Sequence, residues 1–548
     1  MNRRILSLLQ SAISRSGRKY GCEATATTVE GRRRTVPNDG LGLDHFIQKS
    51  RKVRLPKISP TVEESSYLDP LDISGLGRKV KYVTYGCQMN VNDMEVVRSI
   101  LKSNDYIETD DLLAADVVVL ITCSIREGAE VKVWRELKRI KHVARRKPIV
   151  GVLGCMAERV RHGLLAKKGL VDVVAGPDAY RDLPRLLAVA RAGSSAINVQ
   201  LSVEETYADV RPVRVDEDAK TAFVSIMRGC DNMCTYCVVP LTRGRERSRS
   251  IDSIIDEVRR LSDEGVKQVT LLGQNVNSYR DMSESTYVME GPTATTTVPG
   301  FSTVYKPKTG GRTFLTLLDK ISEIDPEMRI RFTSPHPKDF PIEVIQLIKE
   351  RPNICNQLHL PAQSGDDAVL ERMGRGYTRD LYLKLVDDIR QVLPGVSLTS
   401  DFIAGFCGET EEAHRRTVEL IRSVKYTFCY VFPYSMREKT RAHYRLVDDV
   451  SEEVKRQRHE ELAAVFREES LAIHQSLIGT EQLVLVEGTS KRSPSALQGR
   501  ADSGTKVIFE NIEGYEPGDY VVVRITGCSS QTMQGESLRK TTLKEFYN

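Results

Sequence analysis

The sequence predicts an α/β protein in three parts: an N-terminal parallel-sheet α/β domain, a central partial (β/α)6 TIM-like barrel and a small C-terminal β-barrel. Three observations predict it. From about residue 79, continuous Val, Ile and Leu runs alternate with helical segments, the pattern of parallel strands buried on both faces. Six further strand–helix units follow between residues 216 and 455. Beyond one long helical stretch, the chain turns to short alternating strands with Gly turns over residues 474–546.

Ahead of these parts, residues 1–77 read as a leader and linker. The first 22 residues contain five basic side chains and no acid, with Ser7, Ser11, Ser14 and Ser16 set among Ile5, Leu6, Leu8, Leu9 and Ile13. A cationic, amphipathic, Ser-rich start is the composition of an organelle transit peptide, here mitochondrial rather than chloroplast. Pro37, Pro56, Pro60 and Pro70 break the polar stretch behind it. The net charge of +6 is misleading, because residues 1–57 hold thirteen Lys or Arg against four Asp or Glu. The rest is close to neutral, so only local patches argue for nucleic acid. No run of 18 apolar residues occurs, so no membrane insertion is expected. Eleven cysteines over this length are too sparse for a disulfide scaffold and suggest a reducing compartment.

In the first part, residues 78–200, three strands lead to cysteines: RKVKYVTYGCQMN to Cys87, ADVVVLITCSIRE to Cys123, and KPIVGVLGCMAE to Cys155. Ligands of such sheets lie beyond the carboxyl ends of the strands. Three thiols 36 and 32 residues apart, each at that same station, predict a shared metal site. Cys429, by contrast, falls inside a strand-like run.

The second part, residues 216–455, opens with AFVSIMRGC and then RGCDNMCTYCVVP. Cys230, Cys234 and Cys237 are too close for a disulfide arrangement using all three. Structural zinc wants four ligands, and no nearby Cys or His completes the set. A four-iron cluster on three thiolates keeps one iron open for something else. Strands are expected at KQVTLLG, MRIRFTS, ICNQLHL, VSLTSDFIAGF and YTFCYVFPY, and helices near 251–264, 314–324, 341–350, 378–392 and 409–423. The strand ends then carry Gln274, Asn275, Ser334, Gln363, Ser364, Asp401 and Gly405. Each is placed to bind a cofactor or substrate, or to cap the next helix. Residues 279–311 lack periodicity and read as a loop over the site or a disordered insert. Two basic stretches suggest phosphate contact: Arg243, Arg245, Arg247 and Arg249 after the cysteine loop, and a helix carrying Arg135, Lys138, Arg139, Lys141, Arg145 and Arg146. The terminal part has eight basic against nine acidic residues, so composition alone does not make it an RNA binder.

The C-x3-C-x2-C loop after a first strand resembles the radical S-adenosylmethionine (SAM) superfamily, although GQNVN stands where that superfamily commonly has GGE. The two cysteine sets in this order, followed by a small barrel, resemble the methylthiotransferase family over about residues 79–545. YGCQMNVND, ITCSIRE and LGCMAE resemble its branch acting on N6-isopentenyladenosine in tRNA. The resemblance implies two [4Fe-4S] clusters and SAM as cofactors. Cys230, Cys234 and Cys237 would hold the radical-generating cluster, and Cys87, Cys123 and Cys155 an auxiliary one carrying the sulfur to be inserted. No catalytic residue beyond these ligands is implied. An adenosyl radical would take hydrogen from C2 of the modified adenine, and a second SAM would supply the methyl group. The partners implied are the tRNA anticodon arm, docked partly through a TRAM-like C-terminal barrel, and an electron donor. Three other readings stay open: a methylthiotransferase for threonylcarbamoyl-adenosine or a ribosomal protein, a non-enzymatic protein that binds a kinase activator, and a zinc-holding RNA-binding protein.

Overall fold

Lys79–Thr84 (β1) begins a six-stranded parallel sheet. The computed structural model describes residues 70–124, 127–143, 147–166, 169–283, 300–301, 310–512 and 514–547. The expected leader, Cys22 and most of the linker lie outside them. Gln88–Lys102 (α1), Ile107–Glu108 (β2), Val117–Thr122 (β3), Glu127–Val143 (α2), Ile149–Gly154 (β4), Cys155–Val160 (α3), Val173–Ala175 (β5) and Ala196–Asn198 (β6) follow. The sheet order is β2-β1-β3-β4-β5-β6. β3 shows why the run is apolar throughout. Val117, Val119 and Ile121 enter one core, and Val118 and Leu120 enter the core on the opposite face. A strand covered on both sides has no polar face to offer.

The second part has six parallel strands in sequence order: Thr221–Ser225 (β7), Gln268–Leu272 (β8), Arg329–Phe332 (β9), Gln357–His359 (β10), Ser397–Ala404 (β11) and Phe428–Pro433 (β12). β7, β8 and β9 form one sheet and β10, β11 and β12 another, joined by a bridge between Ile330 and Ile354. This is the expected partial (β/α)6 barrel. Its outer helices include Ile251–Asp263 (α4), Arg379–Val392 (α5) and Glu411–Val424 (α6). Ser250, Thr378 and Thr410 cap them by accepting backbone N–H groups, which satisfies donors the helix itself leaves free. Of the insert at 279–311, most lies outside the described residues; its ends pair as Arg280–Asp281 with Arg312–Thr313.

Glu452–Ser476 (α7) packs along β12, with Phe466 edge-on to Phe428 at 5.3 Å. It leads into a closed barrel of Glu481–Ser490 (β13), Ser493–Arg500 (β14), Lys506–Glu510 (β15), Tyr520–Cys528 (β16) and Thr532–Thr541 (β17). That barrel seats on the amino ends of the central strands. Arg329 donates to the Leu483 and Arg500 carbonyls at 2.7 and 2.8 Å, and Arg331 to the Ala501 and Asp502 carbonyls at 2.8 and 2.9 Å. The Tyr520 hydroxyl reaches the carbonyls of Lys267 and Glu327, just before β8 and β9. The floor of the central barrel is thereby covered, and its carboxyl ends are left for chemistry.

Candidate functional site

β1, β3 and β4 are neighbours in the sheet, so the three residues that follow them are brought side by side. Adjacent strands lie about 4.8 Å apart, and Cys87, Cys123 and Cys155 occupy the carboxyl ends of all three. Two glycines make the approach possible. Gly86 has φ 126°, and a Cβ there would stand 2.7 Å from the Cys123 Cβ. Gly154 has φ 89°, and a Cβ would meet the Thr122 carbonyl at 2.8 Å. Burial pushes the Cys155 thiol up to about 11, and the neighbouring Cys123 and Cys87 add to it.

The second trio is held in one loop after β7. Cys230 Sγ accepts the Asn232 N–H and Cys237 Sγ the Val239 N–H, both at 3.4 Å. Gln274 accepts the Gly229 N–H at 2.6 Å and so fixes the residue before Cys230. Thr235 donates to the Arg372 and Met373 carbonyls, and Arg441 to the Met233 carbonyl. Burial drives the Cys230 thiol well above its usual range and Cys237 up to about 12. Cys155 contributes to the Cys237 shift, and α3 packs against the turn Val239–Thr242. The two trios therefore lie near each other.

A buried ion cluster ties them. Asp93 on α1 is fully buried and pairs with Arg228 at 2.8 Å and Arg243 at 2.6 Å. The two guanidinium groups hold its carboxyl below the ordinary range against a large burial penalty. Arg243 also reaches Asn90, which accepts the Cys87 thiol proton at 3.8 Å.

None of the six cysteines is in a disulfide. Among the described residues no three His, Cys, Asp or Glu side chains gather around a point suited to one metal ion. The surroundings of both trios suit a larger anionic group. Arg243 Nη1, near Cys155, and Asn232 Nδ2, beside Cys230, are buried donors without a partner. Thiolates with buried donors close by suit an iron–sulfur cage.

The expected basic strip at 243–249 is corrected. Arg243, Arg247 and Arg249 are buried and paired with Asp93, Asp178 and Glu257, so they are not free for phosphate. Arg245 alone of the four is exposed, and it pairs with Asp231. On α2 the cations do stay at the surface: Lys132, Arg135, Lys138 and Lys141 are exposed, while Arg139 pairs with Glu136. Arg145 and Arg146 lie outside the described residues.

The remaining strand-end residues divide by what they touch. Asn275 spends both ends of its amide on Asp339 and the His336 N–H. Ser364 accepts the Asp366 N–H. Gly405 packs against Lys455, where a Cβ would come within 2.4 Å. Ser334 and Gln363 both have left-handed backbone, φ 61° and 71°. Such strain in non-glycine residues costs about 1–3 kcal/mol each and gathers at functional sites. Asp401 lies 3.4 Å from His359 Nε2, and the His359 ring stands edge-on to Tyr430. Sequence reasoning missed Arg375, a buried arginine 3.6 Å from Cys234 Sγ. Its only local signal is that Gly374 and Gly376 flank it.

Comparison with known proteins adds three matches along the chain: the radical SAM superfamily over residues 224–421, the uncharacterised protein family UPF0004 over 79–176, and the TRAM domain over 475–538. A CDK5RAP1-like protein of Caenorhabditis elegans is 62% identical, covering 95% of this chain and 96% of its own length. The mitochondrial tRNA methylthiotransferase CDK5RAP1 of Homo sapiens is 54% identical over 92% and 89%. The tRNA-2-methylthio-N(6)-dimethylallyladenosine synthase of Chloroherpeton thalassium is 45% identical over 84% and 96%.

Proposed function

The chain belongs to the radical SAM methylthiotransferase family, and we propose that it converts N6-isopentenyladenosine beside the anticodon of mitochondrial tRNAs to the 2-methylthio derivative. It is a radical SAM tRNA methylthiotransferase. The observation that carries the reading is the pair of neighbouring thiol trios, brought together where α3, which begins at Cys155, packs against the turn after Cys237. A C2–H bond of adenine is strong and not acidic, so a general base would fail there.

In this reading Cys230, Cys234 and Cys237 hold the radical SAM cluster, and Cys87, Cys123 and Cys155 hold a second one. When bound, these groups and SAM supply a one-electron route to a carbon radical and the sulfur that is inserted. The chain does the rest. The Asn232 and Val239 N–H groups neutralise sulfur charge, Gln274 sets the loop, and the Asp93 cluster keeps the trios near each other. Ser334, Gln363 and Asp401, whose side chains are not committed to a loop or cap, meet SAM or the adenine. The C-terminal barrel closes the floor and keeps water from entering beneath. The exposed cations of α2 follow the phosphates of the anticodon arm, whose unpaired bases can be splayed out. The parts that act are residues 78–200, 216–455 and 474–546, with residues 1–77 serving import.

Mass spectrometry of mitochondrial tRNA nucleosides from cells lacking this chain tests the reading. Loss of 2-methylthio-N6-isopentenyladenosine is expected, with rescue by the natural sequence and none by Cys230→Ala/Cys234→Ala/Cys237→Ala. A binding protein for a kinase activator would leave the nucleoside unchanged.

A further inference from the structure

Arg375 is only 5% exposed and fixed at three points. Its Nε donates to the Tyr377 hydroxyl at 3.0 Å, its Nη2 to the Pro361 carbonyl at 2.6 Å, and its Nη1 points at Cys234 Sγ at 3.6 Å. The Tyr377 hydroxyl is itself held by the Ala362 carbonyl at 3.1 Å, and Phe301 packs on the Tyr377 ring. Among the described residues no carboxylate pairs with Arg375; the groups that favour its charge are Tyr377, Tyr236 and Cys234. The nearby His336 is held neutral by burial and by Arg375 and Lys338. Lys338 is matched by Asp339.

A guanidinium taken out of water costs several kcal/mol unless an anion answers it. Every other buried arginine near the thiols has such an anion. Arg228 and Arg243 share Asp93, with Glu205 at 3.8 Å from Arg228, and Arg247 has Asp178. Of the three groups that favour the Arg375 charge, two phenols and the Cys234 sulfur, the sulfur is the one that becomes an anion when it ligates a metal.

We propose that Arg375 is a positioning residue of the radical site: it is the built-in counter-ion of the thiolate cage at Cys230, Cys234 and Cys237, and it raises the reduction potential of the cluster held there. The inference rests on that trio being a cluster site. Taking one electron from an external donor makes the cage one charge more negative. A fixed positive charge beside Cys234 favours that state, while Arg243 beside the other trio is already balanced by Asp93. The protein thereby makes the radical cluster the easier of the two to reduce.

The test is an EPR-monitored redox titration of the full-length, anaerobically reconstituted protein without SAM, alongside iron and sulfide analysis. A parallel sample carrying Cys87→Ala, Cys123→Ala and Cys155→Ala assigns the signals. Arg375→Met is expected to cut the reduced-to-oxidised ratio at fixed potential about tenfold, which is 59 mV for one electron. Arg375→Lys keeps the charge and stays within about threefold of the natural protein. Tyr377→Phe removes one tether and shifts the ratio the same way by a smaller factor. The second cluster is unmoved throughout. An unchanged ratio in a cluster-loaded Arg375→Met protein overturns the proposal, as does an equal shift of both clusters. So does a loss of SAM affinity with no change in the SAM-free titration, which would make Arg375 a SAM clamp alone. Should Arg375→Met fail to load iron, Tyr377→Phe and Arg375→Lys decide by the same criterion. Zinc instead of iron in the natural protein would sink the cluster reading itself, a result distinct from an unshifted titration.

Discussion

The site at residues 230–237 takes three thiols from one short loop, whereas the site at Cys87, Cys123 and Cys155 takes one from the end of each of three neighbouring strands. The loop is held by hydrogen bonds from many sides, among them Gln274, Arg372 and Arg441. The dispersed site depends on the strands themselves, on Gly86 and Gly154 giving room, and on a buried carboxylate shared by two arginines. A local site tolerates shifts between elements. A dispersed one works only while its sheet and its ion cluster stay in register.

The sharpest way to break that comparison is to empty the sites separately. Cys230→Ala is expected to abolish both 5′-deoxyadenosine release and methylthio product. Cys155→Ala should abolish the methylthio product yet retain 5′-deoxyadenosine release, with about half the iron lost in either case. Liquid chromatography of both products in one assay reads the difference.

Next in size is Asp93→Asn, which leaves Arg228 and Arg243 buried with too little negative charge. Breaking a buried pair of this kind costs about 3–5 kcal/mol. Urea unfolding should show it as a lower midpoint, and the dispersed site should lose iron before the local one does.

Gly86→Ala sharpens the comparison without touching a charge. A Cβ there sits 2.5 Å from Asn90 Nδ2 and 2.7 Å from the Cys123 Cβ at a φ that L residues avoid. A destabilisation of about 1–3 kcal/mol is expected, with iron lost from the dispersed site alone. EPR spectra of the reconstituted variant provide the check.

The smallest effect belongs to the surface. Lys138→Glu on α2 should weaken tRNA binding by about threefold and flatten its salt dependence by about one unit of slope. Both trios should keep their iron. Filter binding across a salt series measures it.

These contrasts also explain what could be read early. RGCDNMCTYC announces itself, because all three of its thiols lie within one loop. The strand-end cysteines were legible because β3 and β4 are apolar runs, β1 is a short strand-like run beside them, and all three end just before the thiols begin. The arginines after Cys237 misled for the opposite reason. Alternating Arg and small residues look like a solvated strip, but Arg243 and Arg247 meet acids 150 and 69 residues away. Arg375 left almost no trace, since its sulfur partner is 141 residues distant.

What the sequence determined by itself was the set of elements, their parallel pattern and the station of each thiol. Periodicity, turn residues and sulfur chemistry are properties of short stretches, and they act before distant parts meet. Tertiary structure alone decided which cations are buried, that Arg375 faces Cys234, and that the C-terminal barrel sits on the floor with Arg329 reaching carbonyls 154 and 171 residues away. Burial and charge pairing depend on which segments become neighbours, and that is settled only when the whole chain has packed.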